Sequence, residues 1–334
     1  MGVRPMNPTT LVTGANGYTG SNLCRFLAAR GVAVRAMYWE PDGEPDFSDE
    51  NIQPVAGDLR DRDGLSRILD GIDVVYNIAA LYRPTNVSNQ MYWDVNVEGT
   101  RNIVELAAEA KVKRFVHCST IGVHGTIDNP PATEEAPLKP DDYYQFTKLK
   151  GEELCREIGH ETGLPVAIVR PAAIYGPRER RFFTLTKLIQ KRRFIMFGNG
   201  QVLYHFIHID DLCDAFVRCA ADPVAIGKTY IVADEQAITL NQVTDILAQA
   251  LAVAPPGFRL PLTVLYAASV VCEFACKPFG LSPPLHRRRA SWFASDRAFD
   301  ASKVRRELGF MSKTGPEVGL SDMVRSYREA GWIP

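Results

Sequence analysis

The sequence feature that most constrains the fold is a glycine-rich run near the start of the chain, T-G-A-N-G-Y-T-G at 13–20. An apolar run at 9–12 precedes it and apolar residues at helical spacing follow it, so the pattern predicts a strand, a tight turn and a helix. Glycines in such a turn let the backbone approach a pyrophosphate, and the helix N-terminus offers its free N–H groups. We therefore expect a dinucleotide here, contacted by Gly14, Asn16, Gly17 and Tyr18.

The first half of the chain continues to alternate apolar runs with helical patterns. Strands are predicted at 9–12, 33–38, 52–56, 74–78, 114–118 and 165–169, and helices at 18–30, 64–69, 98–110 and 144–162. This alternation predicts an α/β fold, a doubly wound parallel sheet of the Rossmann type with both faces covered. We expect a dinucleotide-binding domain at 1–170, with returns to its sheet at 206–209 and 229–232 within 206–235, and a smaller substrate-binding lobe at 171–334.

Charge and cysteine content exclude several other classes of protein. The 38 lysines and arginines balance the 39 acids, so we expect no nucleic-acid partner. The seven cysteines are odd in number and form no C-x-x-C pair, which predicts neither a disulfide framework nor a metal site. The short polar start at 1–8 predicts no signal peptide, and we expect a cytoplasmic protein.

A tyrosine and a lysine stand four residues apart in Y-Q-F-T-K, at Tyr144 and Lys148. On a helix they share one face, and the ammonium favours the phenolate of a tyrosine whose pKa ordinarily lies near 10. Such a pair can move the proton of a substrate hydroxyl while hydride passes to a nicotinamide. The pair could also be accidental. However, the strand at 114–118 ends in Ser119 and Thr120, at the edge of a parallel sheet where ligands bind.

The end of the second strand bears on the choice between NAD and NADP. That position falls on Tyr38 or Trp39, with Glu40 just beyond. Glu40 can bind ribose hydroxyls, whereas no arginine stands there for a 2′-phosphate, and Arg35 lies inside the strand. We expect NAD or NADP, with NAD favoured, and contacts from Tyr38 and Trp39.

These features together resemble the extended short-chain dehydrogenase/reductase family, which includes nucleotide-sugar epimerases, dehydratases, dihydroflavonol reductases and 3β-hydroxysteroid dehydrogenases. The resemblance covers nearly the whole chain and rests on ordered motifs: G-D-L at 57–59, N-I-A-A at 77–80, N-V-E-G-T at 96–100, F-V-H-C-S-T at 115–120, R-P-A-A-I-Y-G-P at 170–177 and H-F-I-H-I-D-D at 205–211. It implies that Tyr144 is the catalytic base, Lys148 its partner and Thr120 the catalytic hydroxyl. It also implies cofactor contacts at Tyr144, Lys148, Asp58, Leu59, Ala79, Ala80, Pro171 and Ala173.

Other positions bear on the substrate. Nucleotide-sugar enzymes of the family carry asparagine at the position of Ala173 and arginine at that of Tyr204. The apolar stretch at 260–276, P-P-L-H-R-R-R at 283–289 and the run at 299–310 instead resemble the steroid-dehydrogenase and flavonol-reductase branch. The apolar stretch is interpreted as a wall for an apolar substrate, a membrane-surface contact or a core helix.

We therefore expect an NAD(P)-dependent oxidoreductase of the hydroxyl or ketone of a small apolar, steroid- or isoprenoid-like substrate. The alternative is a nucleotide-sugar epimerase or dehydratase with tightly bound NAD. A diphosphate would attract Arg178, Arg180 and Arg181, although such a run is more typical of a solvated loop. A silent dinucleotide sensor is disfavoured by the complete set of Thr120, Tyr144 and Lys148. The family resemblance also implies a homodimer formed through the helices at 98–110 and 144–159.

Overall fold

A seven-stranded parallel sheet forms the centre of the protein, in a computed structural model that describes residues 9–82, 87–276 and 291–334. The strands are β1 (Thr10–Thr13), β2 (Val34–Tyr38), β3 (Ile52–Ala56), β4 (Val74–Asn77), β5 (Arg114–Cys118), β6 (Val166–Pro171), β7 (Ala173–Tyr175), β8 (Met196–Phe197), β9 (Leu203–Tyr204), β10 (Phe206–His208), β11 (Thr229–Val232), β12 (Ile238–Thr239) and β13 (Arg259–Leu260). The order in the main sheet is β11-β6-β5-β4-β1-β2-β3. The order reverses between β1 and β4, and in open α/β sheets ligands bind at such a point.

Helices cover both faces of this sheet. They are α1 (Tyr18–Ala28), α2 (Arg62–Leu69), α3 (Asn89–Trp93), α4 (Gly99–Glu109), α5 (Tyr143–Thr162), α6 (Phe183–Gln190), α7 (Ile209–Ala221), α8 (Leu240–Ala250), α9 (Leu262–Cys276), α10 (Ser302–Leu308) and α11 (Pro316–Glu329). One buried cluster joins α1 and α7 to the sheet through Leu23 and Phe216. Another joins α2, α4 and α5 to the opposite face through Leu65, Ile103 and Leu154. The predicted α/β fold with a doubly wound parallel sheet is confirmed.

The central strands are almost wholly buried, which explains why their sequences are mostly apolar. Every residue of β5 and β6 is buried. Parallel strands covered by helices on both faces have no solvent side to which polar residues could alternate. The predicted bounds of the strands in the main sheet differ from the observed ones by at most two residues, and those of β3 and β5 are the same.

One of the two predicted returns to the sheet is correct and the other is wrong. β11 joins the sheet beside β6, with Tyr230 opposite Val169. The run predicted at 206–209 forms β10, which pairs instead with β7 in a separate two-stranded sheet. Because β11 already occupies the outer edge of β6, the chain that leaves β6 after Pro171 finds its partner outside the main sheet.

A third buried cluster lies among α6, α8 and α11, and contains Phe182, Leu247 and Met323. It belongs to the part of the chain predicted as the substrate lobe, and the boundary near residue 170 stays a prediction. α9 is not the core helix that was one interpretation of its sequence, since Leu265 and Ser269 are its buried residues. Within the described parts of the chain no helix combines the length and apolar character needed to cross a membrane. The basic run at 283–289 lies outside the described residues.

Candidate active site

The glycine loop connects β1 to α1 in a turn that has no room for side chains at two positions. Gly14 has a φ of +72°, and a Cβ there would lie 2.9 Å from the Cα of Ala79. A Cβ at Gly20 would lie 2.1 Å from the carbonyl oxygen of Gly14. The amide of Gly17 donates to that same oxygen at 3.0 Å. The loop therefore packs against the end of β4 on one side and against α1 on the other.

The surroundings of this loop fit the pyrophosphate of a dinucleotide. α1 begins after Gly17, which has no side chain to cap the helix, and no acidic residue stands in its first turn. Its first N–H groups and the positive end of its dipole are thus available to an anion. The Thr13 hydroxyl accepts the amide of Ala79 at 2.9 Å, which fixes the loop of Ala79 and Ala80 beside Gly14. The predicted residues Gly14, Gly17 and Ala79 come together here.

A second predicted group gathers where the adenosine half of a dinucleotide would extend. The Asn16 amide donates to the carbonyl of Trp39 at 3.0 Å. The carboxylate of Asp58 accepts from Arg60 Nε at 3.0 and 3.1 Å. The hydrogen bonds from Arg60 hold the pKa of Asp58 below its ordinary value, so the carboxylate is charged. The Tyr38 hydroxyl donates to Glu44 at 3.4 Å. Arg60 was not predicted, and its position two residues after Asp58 is the signal that could have found it.

The remaining residues that were predicted to contact the cofactor differ from one another in their surroundings. The Leu59 side chain is buried in the core, so its side chain faces the protein rather than the cofactor cradle. Pro171 ends β6, and Ala173 lies in β7 with its amide donating to His205. The Tyr18 hydroxyl is buried against Gly176 and has no hydrogen-bond partner among the described residues. Tyr18 thus reaches from the glycine loop toward the second part of the chain.

Tyr144 and Lys148 lie one turn apart in the first half of α5. The side chain of Asp142 caps this helix by accepting the amide of Gln145 at 2.8 Å. Lys148 is 2% exposed, and burial lowers the pKa of its ammonium below the ordinary value. The ring of Tyr144 meets that of Tyr82 edge to face, with 5.0 Å between ring centres. The pair therefore combines a buried amine with a phenol at an aromatic wall.

Asn96 ties α5 to the loop that follows β4. It lies in a single π-helical turn between α3 and α4, at 94–98, and such turns are frequent at functional sites. Its amide donates to the Thr147 hydroxyl at 3.0 Å and to the Leu81 carbonyl at 3.2 Å, and its oxygen accepts the Leu81 amide at 2.7 Å. The sequence contained Asn96 in the N-V-E-G-T motif without indicating this role.

The two hydroxyls after β5 have different surroundings. Ser119 is buried and donates to the carboxylate of Glu152, which also accepts from Arg170. Thr120 is half-buried, and its hydroxyl accepts the Gly122 amide at 3.1 Å while its own proton can be donated. Gly122 packs against the side chain of Gln145, so the loop that begins at Thr120 touches the helix beside Tyr144.

One residue at this site, Tyr82, was missed from the sequence, and Arg181 was named there only as part of the basic run. The guanidinium of Arg181 lies 5.0 Å from the ring centre of Tyr82, which in turn touches Tyr144. Arg180, by contrast, stacks on Trp332 at 5.0 Å. One arginine of the exposed basic run at 178–181 therefore lies near the predicted catalytic tyrosine. Tyr82 follows the N-I-A-A motif by two residues, which was the available signal. Within the described ranges there is no group of three or more His, Cys, Asp or Glu side chains able to hold a metal ion.

Comparison with known proteins identifies similar chains. The family model described as the NAD dependent epimerase/dehydratase family matches residues 10–233. Sterol demethylase protein B of Methylococcus capsulatus is 30% identical over 337 residues, which cover 97% of this chain and 100% of the relative. The 3β-hydroxysteroid-dehydrogenase/decarboxylase isoform 2 of Arabidopsis thaliana is 27% identical over 348 residues; these cover 94% of this chain but 60% of that longer protein. The crystal structure of DesIV, a dTDP-glucose 4,6-dehydratase from Streptomyces venezuelae with NAD bound, has a TM-score of 0.78 and 26% identity, covering 97% of this chain and 98% of that one.

Proposed function

Because this chain belongs to the NAD-dependent epimerase/dehydratase family, whose members include oxidoreductases of the extended short-chain dehydrogenase/reductase type, we propose that it interconverts a hydroxyl and a ketone on a small apolar, steroid- or isoprenoid-like substrate. The observation that carries the proposal is the position of Tyr144 and Lys148 on α5 beside the loop that starts at Thr120. The glycine loop lies at the same edge of the sheet, where β1 and β5 end.

Each of the three residues has a separate task in this reaction. A bound nicotinamide supplies the acceptor or donor of hydride. Tyr144 takes the proton of the substrate hydroxyl in oxidation and returns it in reduction. The Lys148 ammonium, buried nearby on the same helix face, favours the phenolate of Tyr144. Thr120 donates a hydrogen bond to the substrate oxygen, a task that its neighbour Ser119 cannot share while bonded to Glu152.

Several observations support an apolar substrate. Tyr204, where the family's nucleotide-sugar enzymes have arginine, is buried between Phe206 and Trp292. Ala173 offers no polar group where those enzymes have asparagine. A sterol demethylase protein and a hydroxysteroid dehydrogenase/decarboxylase are among the similar proteins. A large apolar helix, α9, also lies in the second part of the chain.

A nucleotide-sugar epimerase or dehydratase is the second candidate, and one observation favours it. Arg181 lies against Tyr82, so a cation stands beside the wall of the Tyr144 site, where a diphosphate could bind. The similarity to a dTDP-glucose 4,6-dehydratase agrees with that candidate. The same Tyr144, Lys148 and Thr120 would serve, with NAD held tightly through the cycle.

We also propose that NAD is preferred over NADP. The guanidinium of Arg60 is bound to Asp58, so its charge is already compensated within the protein. Arg35 donates to the carbonyls of Ile68 and Asp70, away from Trp39. Neither arginine is thus free for a 2′-phosphate, and NADH should bind at least about tenfold more tightly than NADPH in fluorescence titrations.

The activity test uses Tyr144→Phe, which retains the ring and its contact with Tyr82. We expect NADH binding to persist and turnover to fall at least about a hundredfold, the range of a lost general acid or base. Thr120→Val should also lower kcat. Substrates are 3β-hydroxysteroids and prenyl alcohols in one panel and nucleotide sugars in another. Net NADH production with the first panel supports the proposal. Turnover of nucleotide sugars without net redox change supports the second candidate, and full activity of Tyr144→Phe contradicts both.

Two further expectations stay proposals. Pairing of two copies through α4 and α5 is supported by Phe146 on α5, which is partly exposed next to Trp93. The molar mass of the purified protein, measured by light scattering, tests this pairing. A cytoplasmic location is supported by seven free thiols, of which five are buried, a pattern typical of reducing compartments.

A further inference from the structure

The outward face of α9 is apolar along its whole length. Leu265 and Ser269 are buried and mark the side of the helix that packs on the protein. A helix packed on one side ordinarily presents polar side chains on the other. Here Val271 and Phe274 are 68% and 79% exposed. We define the α9 face as the exposed residues of this helix, none of which is charged: Thr263, Val264, Tyr266, Ala267, Ala268, Val270, Val271, Phe274 and Ala275.

Basic residues lie near the N-terminal end of this face. β13 leads directly into α9 and pairs with β8, and the exposed residues Lys191, Arg192 and Arg193 precede β8. Phe258, at the start of the same pairing, is 61% exposed. The described sequence at 187–203 and 255–276 holds five lysines and arginines against a single acid, Glu273, although the net charge of the whole chain is −1.

We propose that the α9 face binds the surface of an anionic lipid bilayer, with the helix lying in the plane of the headgroups. An apolar face bordered by lysine and arginine is the combination that interfacial helices use. The 15 residues of α9 extend about 22 Å, which is shorter than a bilayer core of about 30 Å, so the helix lies on the membrane rather than crossing it. A second copy would bring two basic borders together, which disfavours self-association through this face. The inference does not rest on the proposed reaction.

Vesicle flotation with the purified full chain tests this proposal. One set of vesicles contains phosphatidylcholine alone, and the other contains equal parts phosphatidylcholine and phosphatidylglycerol. We expect binding to the anionic vesicles that weakens with salt, because the Debye length falls from about 10 Å at 0.1 M to about 3 Å at 1 M. Phe274→Glu and Val271→Glu should each weaken binding at least about tenfold, since a buried apolar contact is replaced by a charge. Lys191→Glu combined with Arg193→Glu should weaken binding to the anionic vesicles by a similar factor.

Met311→Glu is the matched control, since Met311 is 72% exposed on a different segment. It should bind vesicles as the unmodified chain does. NADH titration and circular dichroism establish that every variant is folded. Absence of binding to either vesicle overturns the proposal. The proposal is also overturned if Phe274→Glu binds vesicles as well as the unmodified chain does. It is overturned, too, if light scattering shows a dimer that Val271→Glu dissociates.

Discussion

Replacing Glu152 should destabilise the fold far more than replacing a surface acid in an equally short ion pair. The Glu152 carboxylate is fully buried and accepts from Arg170 at 2.9 and 2.7 Å, while Arg170 itself is 2% exposed. Arg156 and Ser119 complete its hydrogen bonds. Burial alone would raise the pKa of Glu152, but the hydrogen bonds and charge of Arg170 outweigh it and hold that pKa below its ordinary value. The carboxylate is therefore charged in the folded protein.

The magnitude follows from what each substitution leaves behind. Glu152→Gln removes the negative charge and leaves the buried Arg170 guanidinium uncompensated, a change that costs about 3–5 kcal/mol. Replacing both partners, as in Glu152→Leu with Arg170→Met, removes the two charges together and should recover most of that loss. Arg156 is partly exposed and can turn to solvent in either variant. Since domains are stable by about 5–15 kcal/mol in total, the single substitution should lower the unfolding midpoint strongly.

Urea unfolding followed by tryptophan fluorescence measures these differences. The control is Glu105→Gln, because Glu105 binds Arg62 at 2.6 Å with both side chains partly exposed, and it should cost less than about 1 kcal/mol. The folded pKa of Glu152 is depressed, so its stabilisation is complete above the ordinary value of 4.5 and is lost as the pH falls through the folded pKa. At acidic pH the free energies of unfolding of the unmodified protein and of Glu152→Gln should therefore converge. A loss no larger than that of Glu105→Gln would refute the reasoning.

Two other predictions concern the glycine loop and a buried acid. Gly20→Ala should weaken NADH binding at least about tenfold in fluorescence titrations, because its Cβ would lie 2.1 Å from the Gly14 carbonyl oxygen; Gly315→Ala, with nothing within 4 Å, should change nothing. Burial raises the pKa of Asp234 to about 8 from 3.8, so the stability it contributes is complete below 3.8 and is lost as the pH rises toward 8. Asp234→Asn should remove that decline in a series of thermal melts, and an unchanged pH dependence would contradict the assignment.

The sequence predicted the parallel sheet well because its signals are local. Apolar runs of strand length, helical spacing and the glycine loop each depend on residues close together in the chain. The run at 206–209 shows where this reasoning fails. Its apolar pattern suits a strand, but β10 pairs with β7 because β11 already lies along β6. Competition for a sheet edge depends on the whole topology and leaves no mark on the segment itself.

For the candidate site, too, the sequence predicted the features that depend on residues close together in the chain. The four-residue spacing of Tyr144 and Lys148 is a local feature, and α5 contains both. The sequence pattern placed Ser119 and Thr120 together after β5. Only the family resemblance favoured Thr120 as the catalytic hydroxyl. Their surroundings depend on Glu152, which is 33 residues from Ser119 in sequence and bonded to it in the fold. Tyr82 and Arg181 meet across nearly a hundred residues, which no pattern along the chain records.

The buried polar contacts on α5 connect these separate elements into one site. Thr147, next to Lys148, is bonded to Asn96, which holds Leu81 and so the loop that carries Tyr82. Glu152, one turn after Lys148, holds Ser119 and so the loop of Thr120. The loops that follow β4 and β5 are thus fixed to the helix that carries the tyrosine and lysine. A buried polar network costs stability unless every member is satisfied. The oxygen and the nitrogen of the Asn96 amide are both hydrogen-bonded, and so are both oxygens of the Glu152 carboxylate. The positions of Tyr82, Thr120 and Tyr144 are therefore fixed in part by the buried side chains of Asn96, Thr147 and Glu152.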